Sequence, residues 1–115
     1  VQTLYTPQSW QNKNQSSFVF LVKQQILISG DSPKSQEKIW APLAPRKLKL
    51  LLLGHHGSYT STSEFLMNSI DPSVSIASAR KKRFGHPHKK VQARLKKHGV
   101  PLLRTEIWGS IAFEL

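Results

Sequence analysis

The sequence predicts an α/β fold, in which strands and helices alternate and pack in layers. Short apolar runs rich in Val, Ile and Leu alternate with segments that repeat apolar residues at helical spacing, and Gly, Pro or Asp residues separate them. Hydrophobic residues make up 38% of the 115 residues, as in an ordinary globular chain, and this length corresponds to one small domain. No Cys is present, which excludes a disulfide framework and any metal site built on thiolates.

The predicted elements run in the order ββαβαβαββ, after an irregular lead-in over residues 1–13. Apolar, β-rich runs at 18–22 and 25–29 predict two strands, and Ser32-Pro33 opens a helix that Pro45 stops. The remaining predicted elements are a buried strand over 48–53, a helix over 63–70, a strand over 74–78, an amphipathic helix over 88–98, and strands over 101–104 and 109–114. No apolar run approaches the roughly 20 residues of a membrane span, so we expect a soluble chain.

Positive charge is concentrated in one segment of the chain. The net charge is +11, from 17 Lys and Arg against 6 Asp and Glu, and no acidic residue occurs between Asp71 and Glu106. That interval contains Arg80, Lys81, Lys82, Arg83, Lys89, Lys90, Arg94, Lys96 and Lys97. Such a surplus indicates a polyanion-binding surface, with a helix face made basic for solubility as the alternative. We favour the polyanion because the surplus is local rather than spread.

Three loops that each follow a predicted strand carry residues suited to chemistry, because α/β sheets place their sites at strand ends. In the first loop, Asp31 could bind a divalent metal, although taken alone it is more simply the cap of the next helix. In the second loop, His55-His56-Gly57-Ser58 offers one imidazole to a metal and backbone N–H groups to a phosphate. The alternative for this second loop is a hydrogen-bonded corner.

The third loop, Phe84-Gly85-His86-Pro87-His88, precedes the basic helix. His86 could bind a scissile phosphate or donate a proton to a leaving oxygen. Alternatively His86 packs and His88 lies beside the helix cap, and the spacing does not decide between these. Taken together, metal-ligating side chains at strand ends beside a basic rim indicate metal-assisted phosphodiester chemistry, and the positive charge fits an acidic substrate.

Five short motifs occur in a characteristic order: Asn14-Gln15-Ser16-Ser17-Phe18-Val19, Ile28-Ser29-Gly30-Asp31, His55-His56-Gly57-Ser58-Tyr59-Thr60-Ser61, Gly85-His86-Pro87-His88 and Arg104-Thr105-Glu106. In this order they resemble the C-terminal metallo-β-lactamase domain of ComEC proteins, which are membrane channels for single-stranded DNA in natural transformation. The resemblance implies an αββα sandwich with a dinuclear metal site between its sheets, in a soluble domain that degrades the strand that is not imported. It also implies a parent protein anchored in the inner membrane, with this domain on the periplasmic or extracellular side.

The resemblance assigns roles to particular residues. Asp31 matches the bridging carboxylate and His55 the last metal-binding histidine, with His56 as the second candidate, and the metal is Mn or Zn. His86 matches the Gly-His-Pro histidine, which we expect at the substrate phosphate, so that catalysis would depend on Asp31, His55 and His86. The predicted nucleic-acid contacts are Ser58, Arg80, Lys81, Lys82, Arg83, His86, Lys89, Lys90, Arg94 and Lys97.

The chain departs from the family pattern at three places. The His-x-His-x-Asp-His loop expected before residue 14 is absent, Glu106 stands where the family usually has Asp, and Arg80-Lys81-Lys82-Arg83 replaces a more neutral turn. We therefore expect residues 1–115 to be a partial domain, the C-terminal half, which is inactive alone and holds no metal stably. A half-sandwich would also expose an apolar sheet face and self-associate.

The predicted function is that of a metal-dependent DNA phosphodiesterase, a nuclease, in the intact protein. Its predicted partners are DNA and the rest of the parent protein, including a membrane channel. Two alternatives remain open: a catalytically inactive DNA-binding module, and a metallo-β-lactamase-fold hydrolase of another substrate. Tight DNA binding that EDTA leaves unchanged would favour the first alternative, and a panel of substrates would test the second.

Overall fold

The computed structural model describes residues 1–6, 18–30, 32–58, 60–77 and 87–104. Within these ranges the strands are β1 (Gln2–Tyr5), β2 (Val19–Val22), β3 (Ile26–Ile28), β4 (Leu50–Leu52), β5 (Val74–Ala77) and β6 (Leu102–Arg104). The helices are α1 (Lys34–Trp40), α2 (Glu64–Ile70) and α3 (Lys89–Lys97), and the turns Ala41–Leu43 and Gly54–Gly57 are 3₁₀-helical. The predicted α/β class is confirmed.

One mixed sheet contains all six of these strands. They lie in chain order from β1 to β6; β1, β2 and β3 are antiparallel neighbours, whereas β3 to β6 are all parallel. The β2–β3 hairpin turns at Lys23 and Gln24, whose φ angles are both positive, at 53° and 58°. Each parallel step needs a crossover, which α1, α2 and α3 provide in turn. The carboxyl ends of β3 to β6 consequently lie at one edge of the sheet.

The three helices pack on one face of the sheet. Within α2 and α3, apolar residues three or four positions apart turn to the same side, which is how a helix covers a core. The buried apolar residues of the helices form one cluster with alternate residues of the strands: Trp40, Leu66, Met67, Ile70, Val91 and Leu95 with Val19, Leu21, Leu27, Leu51 and Ala77. This cluster is the hydrophobic core.

The opposite face of the sheet, here called the second face, is apolar too. Side chains alternate between faces along a strand, so the residues between those of the core point to the second face. The strand register aligns them in two rows: Phe20, Ile28, Leu52, Ile76 and Leu103, and Ile26, Leu50 and Val74. Leu50 and Ile76 are buried but lie outside the core cluster, whereas every buried apolar helix residue of the described chain belongs to that cluster.

The loop before α1 is tied to the buried side of that helix by Ser32. Its hydroxyl donates to Gln36 Oε1 at 3.2 Å and accepts from Trp40 Nε1 at 3.0 Å. Pro33 is the N-cap residue and the helix begins at Lys34, one residue later than the sequence predicts. Ser32 therefore fixes the end of the first candidate loop rather than capping the helix.

Within the described residues, the predicted strands and helices are found within a few residues of their expected positions, and one segment differs from its prediction. Residues 2–5, predicted as part of an irregular lead-in, form strand β1. The prediction was wrong because the segment is held extended by a distant partner: Thr3 pairs with Phe20 and Tyr5 with Val19. The predicted strand over 109–114 lies outside the described residues, as does Ser78 at the end of the predicted strand over 74–78.

Candidate site at the carboxyl edge of the sheet

The three loops with predicted site residues leave neighbouring parallel strands. The first loop, residues 29–32, follows β3; the second loop, residues 53–63, follows β4; and the third loop, residues 78–88, follows β5. Because β3, β4 and β5 are adjacent and parallel, these loops begin side by side at one edge of the sheet. Asp31 and His86 lie outside the described residues, and the backbone of His55 and His56 forms the 3₁₀ turn Gly54–Gly57.

The first and second loops are joined by hydrogen bonds and by close packing at Gly54. Ser61 Oγ donates to the Ser32 carbonyl at 2.7 Å, and the Lys34 N–H donates to the Thr60 carbonyl at 2.8 Å. A Cβ on Gly54 would lie 3.0 Å from Ser29 Oγ and 3.1 Å from Ser61 Cβ, which is tighter than ordinary van der Waals contact. Gly54 therefore lets the two loops approach each other.

The second and third loops meet at Gly57. The His88 N–H donates to the Gly57 carbonyl at 2.8 Å. Gly57 has a φ angle of +87°, and a Cβ there would lie 2.6 Å from Pro87 Cβ and 2.8 Å from Pro87 Cα. Both the backbone conformation and the space thus require glycine. The two glycines that flank His55-His56 hold the turn against a different neighbouring loop on each side.

Ser58, a predicted phosphate contact, is only 4% exposed. Its Oγ lies 2.9 Å from Thr60 Oγ1 and accepts from the Thr60 N–H at 3.3 Å. The hydroxyl is thus engaged within the second loop. The predicted contact of the Ser58 side chain with nucleic acid would have to displace these bonds, and the predicted approach of a phosphate to the backbone at Gly57-Ser58 stays a prediction.

Sequence reasoning missed one buried carboxylate beneath the second loop, that of Glu37 on α1. Its Oε2 accepts from the Thr62 N–H at 2.6 Å and its Oε1 from the Ser63 N–H at 2.8 Å. Burial raises the pKa of Glu37 above the ordinary glutamate value, while the hydrogen bonds from Ser63 and Thr62 and the charge of Lys34 act in the opposite direction. The available signal was helical spacing, since Glu37 lies three residues before the buried Trp40.

Arg94 of α3 was predicted to contact nucleic acid, but its side chain is largely covered. It is 16% exposed; its Nη1 donates to the Thr62 carbonyl at 2.6 Å, and its Nε lies 3.6 Å from Glu64 Oε1. Glu64 also lies 3.7 Å from Lys97 Nζ and 2.7 Å from His98 Nε2. The hydrogen bond with His98, aided by the charges of Lys97, His98 and Arg94, lowers the pKa of Glu64.

The lysines predicted to contact nucleic acid differ from Arg94 in exposure. Lys89 and Lys90 are exposed in the first turn of α3, directly after the His88 N–H that binds the second loop, and Lys97 is exposed near the other end. The predicted contacts Arg80, Lys81, Lys82 and Arg83 lie outside the described residues. Positive charge therefore borders the candidate site on the side of α3.

Within the described residues, no three His, Asp or Glu side chains gather into a group that could hold a metal ion. The predicted ligand Asp31 lies outside the described residues. No described helix has the length and apolar character that crossing a membrane requires.

Comparison with known proteins finds relatives for most of the chain. It is 36% identical over 93 residues to Competence protein ComA of Neisseria gonorrhoeae, and this match covers 78% of this chain and 14% of the relative. It is 36% identical over 107 residues to ComE operon protein 3 of Bacillus subtilis, covering 89% of this chain and 14% of the relative. The chain is related to competence proteins. Recombination protein 2 of Haemophilus influenzae is 36% identical over 102 residues, covering 85% of this chain and 13% of the relative.

The similarity to competence proteins supports the resemblance to DNA-uptake proteins that the motifs indicate. The metallo-β-lactamase domain stays a prediction. No protein-family model matches the chain. The chain spans 13% to 14% of the length of these relatives, so it corresponds to one segment of much longer proteins.

Proposed function

We propose that this chain belongs to a DNA-uptake protein, in which it forms part of a metal-dependent phosphodiesterase site that cleaves DNA. The observation that carries the proposal is that three loops begin at neighbouring strand ends on one sheet edge. The loops bearing Asp31, His55-His56 and His86 leave adjacent parallel strands, and the second loop is fixed between its two neighbours. The relation to a protein named for competence supports DNA as the substrate.

Asp31 and His55, with His56 as the second candidate for the histidine, are the residues proposed to hold the metal. A carboxylate with imidazoles, and no thiolate, is a donor set that suits Mn or Zn. When bound, such an ion lowers the pKa of water and so supplies a nucleophile for phosphodiester hydrolysis. His86 would orient the phosphate or protonate the leaving oxygen. The backbone after Gly57 would approach the phosphate, and the lysines at the start of α3 would attract the DNA backbone.

The second face of the sheet supports the proposed αββα sandwich. The second face is apolar and needs a partner layer, and a second sheet packed on it, as in the αββα sandwich, would supply that layer. We propose that another segment of the longer parent protein provides the second sheet. We also expect the chain on its own to self-associate through this face.

A second candidate function is DNA binding without cleavage. It is favoured by the exposed lysines of α3, which need no metal site to bind a polyanion. Under this proposal the three loops would serve only to hold α3 against the sheet.

A nuclease assay on the longer parent protein tests the proposal. Cleavage of DNA is measured with Mn or Zn, with EDTA, and in the variants Asp31→Asn and Asp71→Asn. Asp71 is the matched control because it precedes β5, at the opposite edge of the sheet, and its φ of 41° is one that Asn tolerates.

Metal-dependent cleavage that Asp31→Asn abolishes and Asp71→Asn retains is the expected result. Equal cleavage by both variants would refute the metal assignment. Salt-sensitive DNA binding with no cleavage under any metal would establish the second candidate instead.

A further inference from the structure

The peptide group between Thr62 and Ser63 is held at both ends by charged side chains. Its N–H, that of Ser63, donates to Glu37 Oε1 at 2.8 Å, and its carbonyl, that of Thr62, accepts from Arg94 Nη1 at 2.6 Å. The Thr62 N–H on the preceding peptide donates to Glu37 Oε2 at 2.6 Å. Hydrogen bonds to charged groups are stronger than neutral ones, so the orientation of this peptide plane is well determined.

Thr62 itself has a conformation that needs such support. Its φ angle is +60°, in the left-handed region that a β-branched residue avoids. The residue is fully buried, and its Oγ1 has no hydrogen-bond partner within the described chain. A strained, buried residue with an unpaired hydroxyl persists only where its surroundings impose it, and such residues cluster at functional sites.

The peptide between Thr62 and Ser63 lies where the second loop ends, so it fixes one end of that loop. It ends the second loop, whose other end is fixed by strand β4. One residue before it, Ser61 donates to the carbonyl of Ser32 in the first loop. The path from β4 through Gly54–Gly57 is therefore anchored at its far end by Glu37 from α1 and Arg94 from α3.

We infer that Glu37 and Arg94 are positioning residues that fix the second loop, and that Arg94 serves this loop rather than the phosphates of bound DNA. Arg94 suits the role because its planar guanidinium reaches the Thr62 carbonyl with one nitrogen and Glu64 with another. A lysine would keep the charge but could not span both. The contacts themselves do not depend on the proposed function; only the consequence for cleavage rests on it.

Amide hydrogen exchange on this chain tests the anchoring without any activity. The variants are Arg94→Lys and Glu37→Gln. The control is Arg46→Lys, because Arg46 Nη1 also donates to a backbone carbonyl, that of Asn68 within α2, at 2.9 Å. We expect protection of the Ser63 amide to fall about tenfold or more in both variants and to be unchanged in the control, as loss of a charged hydrogen bond implies.

The spread of that effect separates positioning of the loop from simple capping of α2. If the anchor fixes the loop, the Ser61 amide, which donates to the Ser58 carbonyl, and the Lys34 amide, which donates to the Thr60 carbonyl, also lose protection. An effect confined to Ser63, or no effect in Arg94→Lys, would overturn the inference.

DNA measurements on the parent protein then test the second half of the inference. Replacing exposed Lys90 by Gln should reduce the magnitude of the negative slope of log affinity against log salt by about 0.9, as loss of one phosphate contact does. Arg94→Gln should leave that slope unchanged while lowering kcat at unchanged KM. A reduction in the magnitude of that slope by Arg94→Gln would overturn the inference. If the parent neither binds nor cleaves DNA, the proposed function fails and the exchange result alone decides the anchoring.

Discussion

Gly57 is the residue at which the arrangement of the loops can be tested most directly. In Gly57→Ala, the left-handed φ of +87° costs about 1–2 kcal/mol for any residue with a Cβ. The new Cβ would also lie 2.6 Å from Pro87 Cβ, so one of the two loops must shift. Overpacking of this kind costs about 1–3 kcal/mol. A shift would further weaken the bond from the His88 N–H to the Gly57 carbonyl, at about 1 kcal/mol. The total expected loss of unfolding free energy is about 3–6 kcal/mol.

Gly99→Ala is the matched control for this prediction. Gly99 has a similar φ of +69°, but a Cβ there meets nothing within 4 Å. Its expected loss is therefore the conformational cost alone, about 1–2 kcal/mol. Urea unfolding of the wild type and both variants gives the three free energies. Equal losses in the two variants would show that Pro87 does not press on Gly57, and the close approach of the second and third loops would be refuted.

Two further predictions concern Glu64 and the β2–β3 turn. The hydrogen bond with His98 lowers the pKa of Glu64, so the folded state binds a proton there less readily than the unfolded chain does. The contribution of ionised Glu64 to the stability of the fold is therefore fully present above the ordinary glutamate pKa. The stability difference between wild type and Glu64→Gln, measured by urea unfolding from neutral to acidic pH, should therefore vanish as pH falls through the lowered pKa; a constant difference would contradict the assignment. In the turn, Lys23 and Gln24 both have positive φ, so Gln24→Gly should stabilise the chain by about 0.5–1 kcal/mol, whereas Gln24→Ala should not.

Most of the fold could be predicted because its elements are encoded locally. The strand over 48–53 and the helix over 88–98 are recognisable from continuous or periodic apolar residues within a single segment. Strand β1 was not predictable in this way, because Thr3 becomes extended only by pairing with Phe20, seventeen positions later. Pairing over such a distance leaves no periodic pattern in the shorter segment.

The candidate site, like the fold, has one part that the sequence predicts and one part that it does not. Its place at the ends of β3, β4 and β5 follows from the strand order, and the residues of Gly54–Gly57 are visible in the sequence. The anchoring of Thr62 could not be predicted, because Glu37 and Arg94 come from 25 residues before it and 32 residues after it. Only the packing of α1 and α3 against the second loop brings them together, and a basic residue in a basic helix gave no reason to expect an internal contact.

The use of the acidic residues connects the fold to the proposed function. Within the described chain, Glu37 is buried beneath backbone N–H groups, and every salt bridge involves Glu64, which joins α2 to α3. Both acids thus stabilise contacts between elements, while the exposed lysines at the start of α3 stand beside the second loop. No salt bridge of the described chain reaches Lys89 or Lys90, so in a chain with a net charge of +11 their positive charge stays uncompensated next to the candidate site. That uncompensated charge is what the proposed binding of a DNA backbone requires.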